Sequence, residues 1–313
     1  MVIKLETIID FLNSKNLEFN VHGDDIQVNK LSAIGPEVKE TLCYYEGNKP
    51  DSIERIEKSI IICKPDLKIN EKLKNAYIFT KHPQLLFYYI SSLFENKRDY
   101  EIHPHSIVHE SAIIGKNASI GPFSLIEDCL IGENVLIESG VKIHKGTKIG
   151  DNIHIQSNSV IGATGVMWAW DEKGNKIRCL QTGNVIIEDD VFIGSNVTIV
   201  KGAFENTPTI IGRKSLIGHG TLIGHSCIIG ENNHLASNVS LAGSVQSGKN
   251  CFLGSATSAR PHIKIPDNTT IGIGAVVVKN FKETGITLFG NPAEKLNLKT
   301  YSGKLSGVPA RYS

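Results

Sequence analysis

The stretch IGRKSLIGHGTLIGHSCIIGENNHLASNVSLAGSVQSG, residues 211–248, decides the fold. Ile211, Ile217, Ile223, Ile229, Leu235 and Leu241 stand six residues apart, and a glycine often follows the aliphatic residue. A period of six fits neither a helix of 3.6 residues per turn nor simple strand alternation. It fits a solenoid in which each flat side is one short strand and one corner. The aliphatic residue points to the axis, and the small residue beside it lets the backbone turn. Three sides make an 18-residue coil, the signature of a left-handed parallel β-helix built of hexapeptide repeats.

Outward from this stretch the period continues. It runs through Ile131, Ile137, Ile143, Ile149, Ile155 and Ile161, breaks at an insertion over 163–184, and resumes at Ile187. From Ile187 to Val277 it meets sixteen positions, of which only Glu205, Ser247 and Ala259 are not Ile, Leu or Val. Val108, Ile114, Ile120 and Ile126 keep the period with an offset of one residue. The expected β-helix therefore occupies 101–280, about ten coils. Residues 1–100 lack the period. There LETIIDFLNS reads as an amphipathic helix, SIIIC and AYIFT as buried strands, and PQLLFYYISSLFENK as a helix opened by Pro83, together a small α/β domain. Residues 281–313 read as a short, polar, poorly packed tail.

Composition narrows the function. With 33 Lys+Arg against 32 Asp+Glu, the chain has no basic footprint for nucleic acid. No segment approaches the ~20 apolar residues of a membrane span, and no signal-peptide core opens the chain. The six cysteines are scattered without a CxxC pair, which fits a reducing, cytoplasmic setting and argues against a thiolate metal site.

The coil converts separation into position. Gly243 lies 18 residues after His225, directly above it on the next coil, ~4.8 Å along the stack. An imidazole facing a stacked glycine can take a proton from an attacking amine or hydroxyl while the glycine N–H holds an oxyanion. His262 falls two coils and one residue beyond His225, His219 one side earlier, and His234 half a coil round.

The segments IGATGVMWAWDEKGNKIRCLQTGNVIIEDDVFIGSNVTIVKGAFENTPTIIG and TLIGHSCIIGENNHLASNVSLAG resemble the UDP-3-O-acylglucosamine N-acyltransferases of lipid A biosynthesis. That resemblance implies His225 as catalytic base, Gly243 as amide donor, and His262 as a second histidine that positions the acceptor or stabilises the intermediate. It implies an N-terminal uridine-binding domain, of whose aromatic–Asn–aromatic motif Tyr45 and Asn48 are kept while Asp51 departs. His219 stands where that family has Asn. The segments HSCIIGENNHLASNVSLAGSVQSGKNCFLG and IGIGAVVVKNFKETGITLFGNPAEK also resemble acetyl-CoA-dependent nucleotide-amino-sugar acetyltransferases. There too His225 is the base, and His234 reaches a neighbouring copy's site. Ser226 replaces the acidic residue that often follows the base in that family. The Gly290–Ala293 turn resembles one near coenzyme A.

The two resemblances together imply an acyltransferase acting on the amino group of a nucleotide-linked sugar. Its donor is an acyl carrier protein or coenzyme A thioester, its assembly a homotrimer with sites between copies, and no metal is needed. Tyr45, Asn48, His219 and His234 are the expected acceptor contacts; Trp168, Trp170, Gly254 and Asn291 are the expected donor contacts. The long C-terminal helices that dock acyl carrier protein in the lipid A enzymes have no counterpart in the sequence. Alternatives on the same fold are sugar O-acetylation, a γ-type zinc carbonic anhydrase needing three converging histidines, and a non-catalytic scaffold, which would need regular threonine ladders.

Overall fold

The computed structural model describes residues 2–35, 38–69, 74–95 and 101–296. The chain divides into two compact units, Met1–Lys97 and Arg98–Ser313.

In the first unit a five-stranded sheet runs in the order Asn20–Gly23, Ala76–Phe79, Ile60–Cys63, Thr41–Tyr45, Lys30–Leu31. The outermost pair, Asn20–Gly23 with Ala76–Phe79, is antiparallel and the rest are parallel. Every residue of Ile60–Cys63 is buried, as expected of a parallel strand covered on both faces. Ile60 and Ile62 face one apolar cluster with Ile8 and Leu12 of helix Leu5–Ser14; Ile61 and Cys63 face another with Tyr77. Both predicted helices and both predicted strands are present. The strands at 20–23, 30–31 and 41–45 carried no clear periodic signal.

Over its described residues the second unit is a parallel β-helix with three flat faces. Face A has ten strands, including Leu216–Ile217, His234–Leu235 and Phe252–Leu253. Face B has nine, including Thr198–Val200, Leu222–Ile223, Ser240–Leu241 and Ser258–Ala259. Face C has eight, including Thr209–Ile211, Ile228–Ile229, Gln246–Ser247 and Lys264–Ile265. Inward residues such as Ile217, Ile223 and Leu241 are 0–1% exposed. Truncating one of them, Ile223→Ala, should cost about 2–5 kcal/mol.

Two expectations need correction. Glu205 falls on the sixfold count but not on a coil side: it lies in a loop over 201–208 that replaces the usual short corner between Thr198–Val200 and Thr209–Ile211. The loop adds one repeat length, six residues, so the period passes through it unbroken and hides it. Ser247 and Ala259 are buried at their inward positions. The predicted polar tail is packed in part: Ile286, Thr287, Leu288 and Ala293 are buried, while 282–285 and 294–295 are exposed. Thr287–Phe289 adds a parallel strand to face A, Glu294–Lys295 pairs back on it, and Leu288 and Ala293 are fully buried. These residues cover the last coil's open end. Residues 297–313 of the predicted tail lie outside the described residues.

Candidate active site

One edge of the prism, where face B turns into face C, gathers most of the predicted chemistry. The turn Gly224–His225–Ser226 leaves Leu222–Ile223 and leads to Ile228–Ile229. One coil on, the turn Ala242–Gly243–Ser244 repeats it, and Ser244 N–H donates to the His225 carbonyl at 2.8 Å. The His225 ring lies over Gly243. A Cβ built on Gly243 would stand 2.5 Å from His225 Cε1 and in collision with Nε2, so only glycine fits beneath the imidazole. A Cβ on Gly224 would stand 2.7 Å from the Gly243 nitrogen, so Gly224 also keeps that N–H clear.

The Gly243 N–H has no acceptor among the described residues, and its neighbours explain why. At the equivalent turn position of several other coils, though not at Glu231 or Ser237, a side chain from an adjacent coil caps the N–H. Asp267 Oδ1 accepts from Lys249 at 2.9 Å, Asp189 Oδ1 from Asp151 at 3.0 Å, and His219 Nδ1 from Ser195 at 2.9 Å. Above Gly243 the corresponding residue is Pro261, which offers no side-chain acceptor. The result is an uncapped backbone donor beside an imidazole.

His225 is partly buried, and its Nδ1 is enclosed without a hydrogen-bond partner. Burial first, and then repulsion from His262, hold its pKa below the ordinary 6.5. The ring is therefore neutral and able to accept a proton at neutral pH. No carboxylate orients it, in contrast to His144, which meets Glu127 at 3.2 Å, and His154, which meets Glu138 at 2.8 Å. Ser226, where the acetyltransferase pattern has an acid, faces the other way. Its Oγ accepts from Ala203 N–H at 3.0 Å and its N–H donates to Thr209 Oγ1 at 2.8 Å, which ties down the 201–208 loop. Cys227, next in the chain, is no nucleophile: burial pushes its thiol up to about 12.

The remaining predicted residues divide by edge. His262 joins the site; its N–H donates to the Gly243 carbonyl at 3.1 Å and its backbone adopts φ 64°. The insertion also leaves from this edge, between Val160–Ala163 and Val185–Ile187, two coils before His225. It forms a hairpin of Trp168–Trp170 and Lys176–Arg178, in which Trp168 and Trp170 are exposed and Lys176 Nζ lies 4.8 and 5.2 Å from their ring centres. His219 and Gly254 stand on the edge between faces A and B, and His234 stands on face A with its ring edge-on to Phe252 at 5.1 Å. A single copy does not bring these three to His225. Three histidines do not converge there: His219 and His225 occupy different edges, and among the described residues no cluster suited to a metal ion occurs. Asn291 lies in the turn over the last coil, beside the Gly290 carbonyl that accepts from Val276 N–H.

In the first unit Tyr45 donates its hydroxyl to the Lys49 carbonyl at 3.1 Å, and Asn48 is exposed. A cavity of about 420 Å³ lies elsewhere in that unit, between Leu17–Asn20 and Phe79–Leu86. Sequence reasoning did not single out Pro261 or the 201–208 loop. Pro261 was detectable in principle, because it falls 18 residues after Gly243 and a proline has no side-chain acceptor.

The fold and this edge define a hexapeptide-repeat β-helix carrying a histidine–glycine step. Residues 128–163 and 208–243 match the family described as bacterial transferase hexapeptide (six repeats), and 184–223 match the hexapeptide repeat of succinyl-transferase. The chain is similar to UDP-3-O-acylglucosamine N-acyltransferase of Hahella chejuensis, 33% identical over 140 residues, which is 45% of this chain and 39% of that protein. A second, from Janthinobacterium sp., is 33% identical over 42% of this chain and 37% of its own length. The chain thus spans about two fifths of these relatives. Among solved structures, UDP-N-acetylglucosamine O-acyltransferase of Moraxella catarrhalis aligns with TM-score 0.57 and 28% identity over 64% of this chain and 76% of its own.

Proposed function

We propose that this protein is an N-acyltransferase that moves an acyl group from a thioester to the amino group of a nucleotide-linked amino sugar, in lipid A or surface-polysaccharide synthesis. The observation that carries this reading is the uncapped Gly243 N–H beneath the His225 ring. The acceptor nitrogen attacks the thioester carbon as His225 Nε2 takes its proton. The carbonyl oxygen gathers charge at the Gly243 N–H. On collapse the C–N bond stays, the C–S bond breaks, and the imidazolium returns the proton to the departing thiolate. His262, on the Gly243 side of the step, stabilises the intermediate, and the exposed Trp168–Trp170 hairpin, which leaves the same edge, contacts the carrier end of the donor.

Tyr45 and Asn48 are the proposed contacts to the nucleotide. A homotrimer with sites between copies would let His219 or His234 of one copy face His225 of the next, and a cytoplasmic location fits the substrates. No helix among the described residues is long and apolar enough to cross a membrane. A hydroxyl acceptor is the second reading, favoured by the likeness to the O-acyltransferase structure. The test is incubation with UDP-linked amino sugars and their hydroxyl counterparts, each with coenzyme A and acyl carrier protein thioesters, read by mass. An acylated amino sugar formed by the wild type and lost in His225→Ala supports the reading. Acylation of hydroxyl acceptors alone replaces it with the second, and no product from any pair removes both.

A further inference from the structure

The order of base and oxyanion donor gives the site a direction. His225 lies on the coil nearer the N-terminus and Gly243 on the next. An amine approaching the base therefore comes from the N-terminal side, while the acyl group bonded to the carbonyl extends over the coils beyond Gly243. These two sides differ in chemistry. Toward the N-terminus, Leu222, Ile228 and Phe204 are exposed apolar residues around the edge. In the coil just beyond Gly243 the edge carries Arg260 and His262, both exposed. On the flanking faces the outward position passes from Leu222 to Ser240 and Ser258, and from Ile228 to Gln246 and Lys264. Arg260 has no ion pair among the described residues. Apolar outward residues return only in the following coil, at Val276 and Val278.

We infer that the acyl group transferred is short, about four carbons or fewer, the length that ends within one coil spacing of ~4.8 Å, and that Arg260 sets this limit. A longer chain must lie against a guanidinium and its polar neighbours, where removing its methylenes from water is not possible without desolvating the cation. Arg260 has this role only if the His225–Gly243 step transfers acyl groups, so the test separates the two statements. The full-length protein is given acetyl, butyryl, octanoyl and myristoyl thioesters of coenzyme A and of acyl carrier protein, with UDP-linked amino sugars as acceptors. The wild type should prefer acetyl or butyryl over myristoyl by at least roughly tenfold in kcat/KM. Arg260→Leu should narrow that gap through faster octanoyl and myristoyl transfer, at an unchanged thermal midpoint, while Arg260→Lys keeps it. Myristoyl transfer matching acetyl in the wild type, or an unaltered gap in Arg260→Leu, overturns the limit while leaving acyl transfer standing. No product from any donor removes the acyl-transfer reading and the limit with it.

Discussion

Two edges of the same prism solve the same problem differently. Where face C turns into face A, several turns have their backbone N–H covered by an aspartate from the next coil, as Asp151 covers Glu133 and Asp267 covers Lys249. The left-handed residue that follows is mostly asparagine, and the amides form ladders such as Asn232–Asn250–Asn268 with bonds of 2.8 and 3.1 Å. Asparagine suits φ near +60° because its short polar side chain bonds locally. At the edge between B and C, three consecutive coils carry Ser226, Ser244 and His262 in that left-handed position, and Gly243 N–H stays uncovered. The first edge bonds largely to itself; the second keeps a donor and a base side by side.

The contrast can be broken from either side. The largest effect is expected for His225→Ala, which should reduce kcat by roughly 10²–10⁴, the usual worth of a positioned base. Its thermal midpoint should hardly move, since the side chain makes no hydrogen bond that the fold depends on. Asp267→Ala on the closed edge should do the opposite. It strips the cap from Lys249 N–H and should cost about 0.5–1.5 kcal/mol in denaturant unfolding, with kcat within about twofold of wild type. The smallest effect concerns His262. Asparagine accepts the left-handed backbone there, so His262→Asn should fold normally. Loss of the neighbouring imidazole removes a repulsion that lowers the His225 pKa. The acid limb of the kcat/KM profile, expected below pH 6.5 in the wild type, should therefore move to higher pH in the variant. A limb that stays in place would show that His262 does not act on the base.

The β-helix was legible because burial imposes one aliphatic residue per side, and nothing else produces a period of six over so many sides. The step from His225 to Gly243 was legible for the same reason, because 18 residues return the chain to the same corner. The 201–208 loop was not, since an insertion one repeat long leaves the phase unchanged. The capping strand at Thr287–Phe289 was hidden too: a single strand has no period, and only the open end of the coil above Ile271 gives Leu288 its burial. The separation of His234 from His225 was legible as well, since nine residues are half a coil, whereas Gly254, on the edge between faces A and B, is set apart from His225 in a single copy.

The Gly243 N–H is open and Pro261 above it offers no acceptor, so placing an acceptor there tests the donor's role. In Pro261→Asp the carboxylate should reach Gly243 as Asp267 reaches Lys249, while Pro261→Ala leaves the donor free. Steady-state kcat measured on both folded variants should be near wild type for Pro261→Ala and lower by roughly 10²–10³ for Pro261→Asp, the worth of one oxyanion donor. A folded Pro261→Asp protein that turns over within about threefold of wild type would contradict the assignment of Gly243 as the oxyanion donor.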